Sequence, residues 1–203
     1  MKKIMLIGGG GHCRSCIDVI EATNLYEIIG IVEKTTAPKN DEWRYPIIGS
    51  DADLPDLLKI TRLVLITIGQ IHSSEKRSAL YERLLKLGAV FPIITSPMAY
   101  ISKNAVIEQG SIIMHGALIN SGAKIGKNCI INSHALVEHG TKIEDNCHIS
   151  TGSKVNGDVF VGEGTFVGSG AIIHHGIRIG KNSSITAGAI VSHNLSNSSK
   201  YRG

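Results

Sequence analysis

The chain has 203 residues, of which 42% are hydrophobic, 4% aromatic and 19% charged, and 23 are glycine. This share of hydrophobic residues can fill a core, which argues against a disordered chain. A core with so few rings must be built from small aliphatic side chains, which favours tight, repetitive β structure over a helical bundle. The formal net charge of +4 comes from scattered Lys and Arg residues, so no basic block indicates nucleic-acid binding.

Membrane and export signals are also missing from the sequence. No apolar run approaches the ~18 residues that a membrane helix needs. After Met1 and two lysines, only a short apolar stretch precedes Gly8, which falls well below the roughly 7–15 residues of a signal-peptide core. We therefore expect a cytoplasmic protein with no membrane partner.

Residues 1–95 alternate strand and helix patterns. The apolar runs Ile4–Ile7, Ile28–Val32 and Leu63–Ile68 read as strands, and the first ends in a row of glycines that opens a helical pattern. Ser74–Leu87 reads as a further helix with Leu80, Leu84 and Leu87 on its apolar face. This order predicts an α/β domain of the Rossmann-like βαβ kind.

Residues 96–203 contain a six-residue repeat. Every sixth residue from Ile101 to Val191 is Ile or Val, without an insertion, and most hexads carry a small residue four places further on. The pattern predicts a parallel β-helix in which three hexads form one triangular coil of 18 residues. Residues one coil apart should then stack at about one strand spacing of ~4.8 Å. Residues half a coil apart can meet only across a subunit interface.

Four segments, GGGGHCRSCIDVI, GIVE, ITIGQ and INSHALVEHG, resemble the nucleotide-sugar acyltransferase family (PglD/NeuD-like) over essentially the whole chain. The likeness is strongest to the UDP-4-amino-4,6-dideoxy-sugar N-acetyltransferases. The resemblance implies a left-handed β-helix, a homotrimer, and acetyl-CoA as co-substrate in the cleft between neighbouring β-helices, with no metal. It also implies that the N-terminal domain binds a UDP- or dTDP-linked 4-amino-4,6-dideoxy sugar.

The resemblance assigns the catalytic residues to the segment around His139. His139 aligns with the family's base, Asn132 with a polar active-site residue, and Gly157, one coil later, with a backbone N–H that holds the thioester oxygen. The family often has an acid directly after the base, where this chain has Gly140. Glu138 could replace that acid, although adjacent side chains point in different directions.

Two further groups of residues follow from the resemblance and from the glycine-rich loop. Those assigned to acetyl-CoA are His148, Gly157, Ser169 and Ala187. A loop between a strand and a helix suits phosphate groups, but Cys13 stands where a dinucleotide motif needs its third glycine, which argues against NAD. The residues assigned to the nucleotide sugar are Gly10, Gly11, His12, Glu33, Lys34 and Gln70.

Three other functions are compatible with parts of the sequence. The acceptor could be a hydroxyl, as in sialic acid O-acetylation, or the chain could be a non-catalytic trimer that binds a sugar nucleotide. A zinc lyase with a β-helix would use His134 and His139, but the place of its third ligand is occupied by Met98. Cys13 and Cys16 form a single CxxC, which is a weak signal for either zinc or redox chemistry.

Overall fold

The structure, a computed structural model, describes residues 1–34, 44–71 and 73–203. The chain forms two compact units, Met1–Gly69 with Ala79–Pro92 and Gln70–Ser78 with Ile93–Gly203. Gln70–Ser78, predicted to lie in the N-terminal domain, is grouped with the repeats in the structure, because Gln70 and Arg77 form hydrogen bonds to Gly164 and Asn128.

The first unit is built on a parallel sheet. The elements up to residue 92 are β1 (Lys2–Ile7), α1 (Gly11–Thr23), β2 (Tyr26–Val32), β3 (Ile47–Gly49), α2 (Leu54–Ile60), β4 (Val64–Ile66) and α3 (Glu75–Lys86). The strand order is β3-β2-β1-β4, and all pairs are parallel. The three strands predicted from the sequence are present, and β3 is an addition. The glycines that follow β1 therefore lie at the carboxyl edge of a parallel sheet.

Both faces of the central strand β1 are buried. Met5 and Ile7 pack against Leu54 and Leu84 of the two later helices, while Ile4 and Leu6 are buried on the other face. The predicted apolar face of α3 was wrong at its last position, because the helix ends at Lys86 and Leu87 is 39% exposed.

Residues 93–203, all of which the structure describes, form eighteen two-residue strands. They are β5 (Ile94–Thr95), β6 (Tyr100–Ile101), β7 (Val106–Ile107), β8 (Ile112–Ile113), β9 (Leu118–Ile119), β10 (Lys124–Ile125), β11 (Ile130–Ile131), β12 (Leu136–Val137), β13 (Lys142–Ile143), β14 (His148–Ile149), β15 (Lys154–Val155), β16 (Phe160–Val161), β17 (Phe166–Val167), β18 (Ile172–Ile173), β19 (Arg178–Ile179), β20 (Ser184–Ile185), β21 (Ile190–Val191) and β22 (Lys200–Tyr201).

These strands line three faces that the chain visits in turn. The first face contains β5, β8, β11, β14, β17, β20 and β22, the second β6, β9, β12, β15, β18 and β21, and the third β7, β10, β13, β16 and β19. Neighbouring strands are parallel and, up to β21, pair residues 18 apart, such as Ile125 with Ile143. The predicted hexapeptide-repeat β-helix is confirmed.

The Ile and Val residues of the repeat fill the interior of the β-helix. From Ile113 to Val191 they are at most 1% exposed, and Cys129 and Cys147 are buried between them. The first residue of each strand points outward instead. Polar side chains on the outer surface are therefore held in fixed columns by a rigid ladder, which is how the candidate site is built.

Among the described residues, no helix is both long and apolar enough to cross a bilayer.

Candidate functional site

His139 lies at the corner between the second and third faces, just after β12. Its side chain is exposed, and its ring lies over Gly157 of the next coil. A Cβ built on Gly157 would be 2.5 Å from Cε1 and 2.6 Å from Nε2 of His139. No larger residue fits beneath the ring in this position, so the predicted stacking of His139 and Gly157 is present.

The backbone N–H of Gly157 is not used for hydrogen bonding within the β-helix. Gly157 is buried, yet among the described residues its N–H donates no hydrogen bond. At the same place in other turns the N–H is paired in some cases, as in Ser133, which donates to Asn132 Oδ1 over 2.8 Å, and has no described partner in others, such as the exposed residues Thr151 and Ser169. Buried N–H groups in proteins are nearly always paired. A free backbone donor is what an oxyanion site requires.

Glu138 does not take the place of the acid that the sequence lacks after His139. Its Oε2 accepts hydrogen bonds from Asn120 Nδ2 (2.8 Å) and from the backbone N–H of His139 (3.2 Å). Among the described residues no hydrogen bond joins its carboxylate to the His139 ring. Consecutive side chains of a turn point in different directions, so the Glu138 carboxylate does not reach the His139 ring. It stabilises the turn instead, through these two hydrogen bonds.

A carboxylate that the sequence analysis missed lies beside this corner. Asp158 stands one coil above Gly140, and a Cβ on Gly140 would collide with Asp158 Oδ1. The other oxygen, Oδ2, is 3.7 Å from Nε2 of His175. The ring of His175 lies 6.2 Å from that of His139, measured between centroids. The 18-residue spacing from Gly140 to Asp158 is the signal that could have found this group.

His148 and Asn132 form a separate cluster on the first face. His148 Nδ1 is 2.6 Å from the carbonyl oxygen of Gln70, so Nδ1 carries the proton. Nε2 then accepts from Nδ2 of Asn132 over 3.2 Å, and the edge of Phe166 packs against the ring. Both nitrogens of His148 are therefore engaged within the chain.

His148 is a neutral imidazole at physiological pH. Burial lowers its pKa to about 4, the hydrogen bond to the Gln70 carbonyl opposes that effect, and the positive charge of Arg77 adds to it. A neutral ring with a protonated Nδ1 can orient Asn132 but does not act as a strong base. This environment suits a positioning or ligand-contacting role.

The two clusters are not joined within one chain. In a triangular coil the corner between the second and third faces lies opposite the first face, so His139 and His148 point in opposite directions. No described hydrogen bond or ring contact links them. A site that uses both side chains therefore needs a second copy of the chain.

Ser169 and Ala187 stack at the corner that follows the first face. They line a cavity of ≈ 610 Å³. Phe166 and Thr186 also line it, together with the last residues of the β-helix, Lys200, Tyr201 and Arg202. The cavity thus combines apolar surface with two cationic side chains. This composition suits an extended, phosphate-bearing molecule.

The N-terminal glycine loop is bound to Glu33. One carboxylate oxygen accepts from the backbone N–H of Gly9 and the other from that of Lys34 (3.0 Å). Gly10 caps α1, and space is open within 4 Å of the Cβ positions of both Gly10 and Gly11. The helix N-terminus is therefore accessible beside a carboxylate.

Two residues predicted for the nucleotide sugar have other contacts. His12 Nε2 lies 3.4 Å from Sγ of Cys16. Gly69 packs beside His12, since a Cβ built on Gly69 would lie 3.5 Å from Cβ of His12. Gln70 is 2% exposed; its side chain donates to the carbonyl of Gly164, and its own carbonyl accepts from His148. Their nucleotide-binding roles stay predictions.

The cysteines are buried, free thiols. Burial raises the pKa of Cys13 to about 11, so it is a poor nucleophile at neutral pH. In the described part of the chain no three His, Cys, Asp or Glu side chains are grouped so that they could hold a metal ion.

Comparisons with known proteins agree with both units. Residues 3–84 match the model of the PglD N-terminal domain, and residues 104–139, 122–157 and 158–193 match the bacterial transferase hexapeptide of six repeats. The chain thus combines a PglD-type N-terminal domain with bacterial transferase hexapeptide repeats. No curated protein matches it in sequence.

Several solved structures resemble this PglD-like chain over nearly its full length. PerB from Caulobacter crescentus, in complex with CoA and GDP-perosamine, has 29% identity and a TM-score of 0.90, with 98% of this chain and 92% of that chain covered. The acetyltransferase domain of PglB from Neisseria gonorrhoeae, in complex with acetyl coenzyme A, has 25% identity and a TM-score of 0.85, with 96% and 93% covered. WeeI from Acinetobacter baumannii, at 21% identity and a TM-score of 0.81 with 97% and 94% covered, shares the fold.

Proposed function

We propose that this PglD-like chain transfers the acetyl group of acetyl-CoA to the amino group of a nucleotide-linked amino sugar, with no metal. The observation that carries the proposal is the exposed imidazole of His139 above Gly157, whose backbone N–H donates no hydrogen bond among the described residues. The full-length likeness to PerB and to the PglB domain, which bind CoA or acetyl-CoA in their crystals, supports the same reaction.

The reaction uses these groups in sequence. His139 takes a proton from the ammonium of the acceptor, which frees its lone pair to attack the thioester carbonyl. The N–H of Gly157 donates to the oxygen as it becomes negative, and the CoA thiolate then leaves. The cavity at Ser169 and Ala187 holds the CoA arm, where Lys200 and Arg202 attract its phosphates.

The acceptor's nucleotide is assigned to the N-terminal unit. The N-terminus of α1 at Gly10 and Gly11 presents N–H groups to a diphosphate. The Glu33 carboxylate repels phosphate and accepts hydroxyl hydrogens, so it suits the ribose. The sequence suggests UDP or dTDP, whereas PerB was solved with GDP-perosamine. The identity of the nucleobase in the sugar nucleotide is therefore the first property to test.

We assign the acetyl site to a homotrimer because of the outer surface of the second face. Its outward side chains form an apolar stripe, interrupted by Lys154, and Tyr100 and Ile190 are 58% and 52% exposed. The other members of the stripe are Leu118, Leu136 and Ile172. His139 borders this stripe, so we place the subunit interface here and propose that the neighbouring copy contributes its first face, with His148, to the same site.

A thiol-release assay tests the acetyl transfer. Acetyl-CoA is offered with the 4-amino-4,6-dideoxy sugars of UDP, dTDP and GDP and with free sialic acid. CoA release with one amino sugar, lost in His139→Ala, supports the proposal. Release with sialic acid alone would move the chain to O-acetylation. If no acceptor in the panel gives CoA release but a nucleotide sugar still binds, the result would favour a non-catalytic binding protein.

A mixing experiment tests the shared site. His139→Ala and His148→Ala are expected to be weakly active alone and to recover about a quarter of the wild-type rate when unfolded and refolded together, because random assembly leaves one interface in four intact. If both histidines act from the same copy, the refolded mixture stays as inactive as the two variants measured separately.

Cytoplasmic location stays a prediction.

A further inference from the structure

The corner at His139 contains a second histidine and a carboxylate for which the proposed function has no use so far. His175 lies two coils above His139 in the same column, with Gly157 between them. Asp158 lies beside His175, with 3.7 Å between Oδ2 and Nε2. His175 and Asp158 are both more than half exposed, so neither is required to fill the core.

The two imidazoles face one small volume. The position of a Cβ on Gly157 is 2.6 Å from Nε2 of His139 and 3.1 Å from Nδ1 of His175. No side chain fills that position because residue 157 is glycine, but it lies too near the His139 ring to hold an atom itself. A reacting atom further out would have an imidazole nitrogen on either side and the backbone of Gly157 behind it.

The charge of the Asp158 carboxylate, 3.7 Å from Nε2, favours one tautomer of His175. A carboxylate next to Nε2 favours the tautomer that carries its proton on Nε2. Nδ1, which faces Gly157, is then an unprotonated acceptor. Asp158 can hold this place because Gly140, one coil below, has no side chain to displace Oδ1.

The chemistry of an amine acceptor calls for two proton acceptors. The ammonium loses one proton before its nitrogen forms the bond to the acetyl carbon, and the nitrogen loses another as the amide forms. The C–S bond breaks and the thiolate takes its electron pair. One proton ends on the CoA sulfur and the other reaches solvent.

We propose that His175 is a second catalytic residue, which accepts the second proton of the acceptor amine through Nδ1 and releases it to solvent, and that Asp158 is its positioning residue. The proposal rests on the proposed function, since a hydroxyl acceptor has one proton to lose. His139 remains the first acceptor.

The test uses three variants of the full-length protein. His175→Ala removes the acceptor. Asp158→Asn removes the charge but retains the fold, because Asp158 has φ 55 and Asn occupies the same turn place with positive φ at Asn128, Asn146 and Asn182. His174→Ala is the control, an exposed histidine on the same turn.

We expect His175→Ala to lower kcat about 10- to 100-fold at nearly constant KM for both substrates, and added imidazole to restore part of the rate. Asp158→Asn should lower kcat by less, and should add little in the His175→Ala background, because the two act as a unit. Nitrogen NMR should find the His175 proton on Nε2 in the wild type. His174→Ala should behave as the wild type.

The outcomes separate this proposal from the proposed function. If the wild type acetylates an amino sugar and His175→Ala retains its full kcat, His175 is not an acceptor and the function stands. Additive effects of the two substitutions, or a His175 proton on Nδ1, would overturn the role of Asp158. A wild type that acetylates no amino sugar overturns both proposals.

Discussion

Replacing Gly157 with alanine would move the His139 ring without removing any group assigned to the chemistry. The backbone of Gly157 is not in the left-handed region, so alanine is sterically allowed there, and its N–H is retained. The new methyl carbon would lie 2.5 Å from Cε1 of His139. Carbon atoms in contact are about 3.5–4.0 Å apart, so the ring must move by about 1 Å.

A displacement of that size decides the expected rate. Misplacing a catalytic group by about 1 Å can cost about 10²-fold, so we expect kcat for thiol release to fall roughly 100-fold. Folding should hardly change, because the exposed ring can swing outward: Tm should move by less than about 2 °C.

Gly152→Ala provides the opposite case. Gly152 has φ +65 with nothing within 4 Å of its Cβ position, so alanine there is strained but displaces no side chain. The strain of about 1–2 kcal/mol should lower Tm by roughly 2–8 °C at unchanged kcat. Wild-type kcat in Gly157→Ala would refute the reasoning that the His139 ring acts from its place over Gly157.

Three further predictions concern the base, the glycine loop and the buried histidine. His139→Ala should lower kcat by roughly 10²–10⁴ with Tm unchanged, and turnover near the wild-type rate would reject it as the base. Gly10→Ala or Gly11→Ala should weaken nucleotide-sugar binding about tenfold in calorimetry without loss of stability, because the added methyl fills open space above the N-terminus of α1. Gly8→Ala should instead destabilise the fold, since Gly8 has φ +107 and its Cβ would collide with Ile68. His148 takes up a proton more readily when unfolded, since its pKa falls from 6.5 to about 4 on folding. Stability is therefore lost as pH falls from 6.5 towards 4, by up to about 3 kcal/mol in urea unfolding, and His148→Gln should lack this loss.

The repeat made most of the β-helix predictable. A β-helix is the fold in which a six-residue period of branched side chains places each of them in a common interior. The strands, the coil length and the columns of stacked residues could therefore be predicted from the period. The stacking of Gly157 on His139 was predicted in this way. The same arithmetic relates Asp158 to Gly140, but a column gives positions only, and the direction of a carboxylate depends on the space left by the residue below.

Contacts distant in sequence were not predictable. Gln70 was expected at the edge of the parallel sheet because it follows a strand, yet it forms hydrogen bonds to His148 and Gly164, which lie 78 and 94 residues further along the chain. The error at Leu87 has a local cause, since a helix that ends one residue earlier leaves that side chain in solvent.

The sequence by itself determined the α/β pattern of the first half, the β-helix and its inward residues, because these depend on local periodicity and on burial of apolar side chains. Only the tertiary structure decided the electrostatics of the site. It turned Glu138 away from the His139 ring, placed Asp158 beside His175, and buried His148 as a neutral ring between Gln70 and Asn132. The physical reason is that protonation and hydrogen bonding depend on distances of a few ångströms between groups from different coils, which no repeat period specifies.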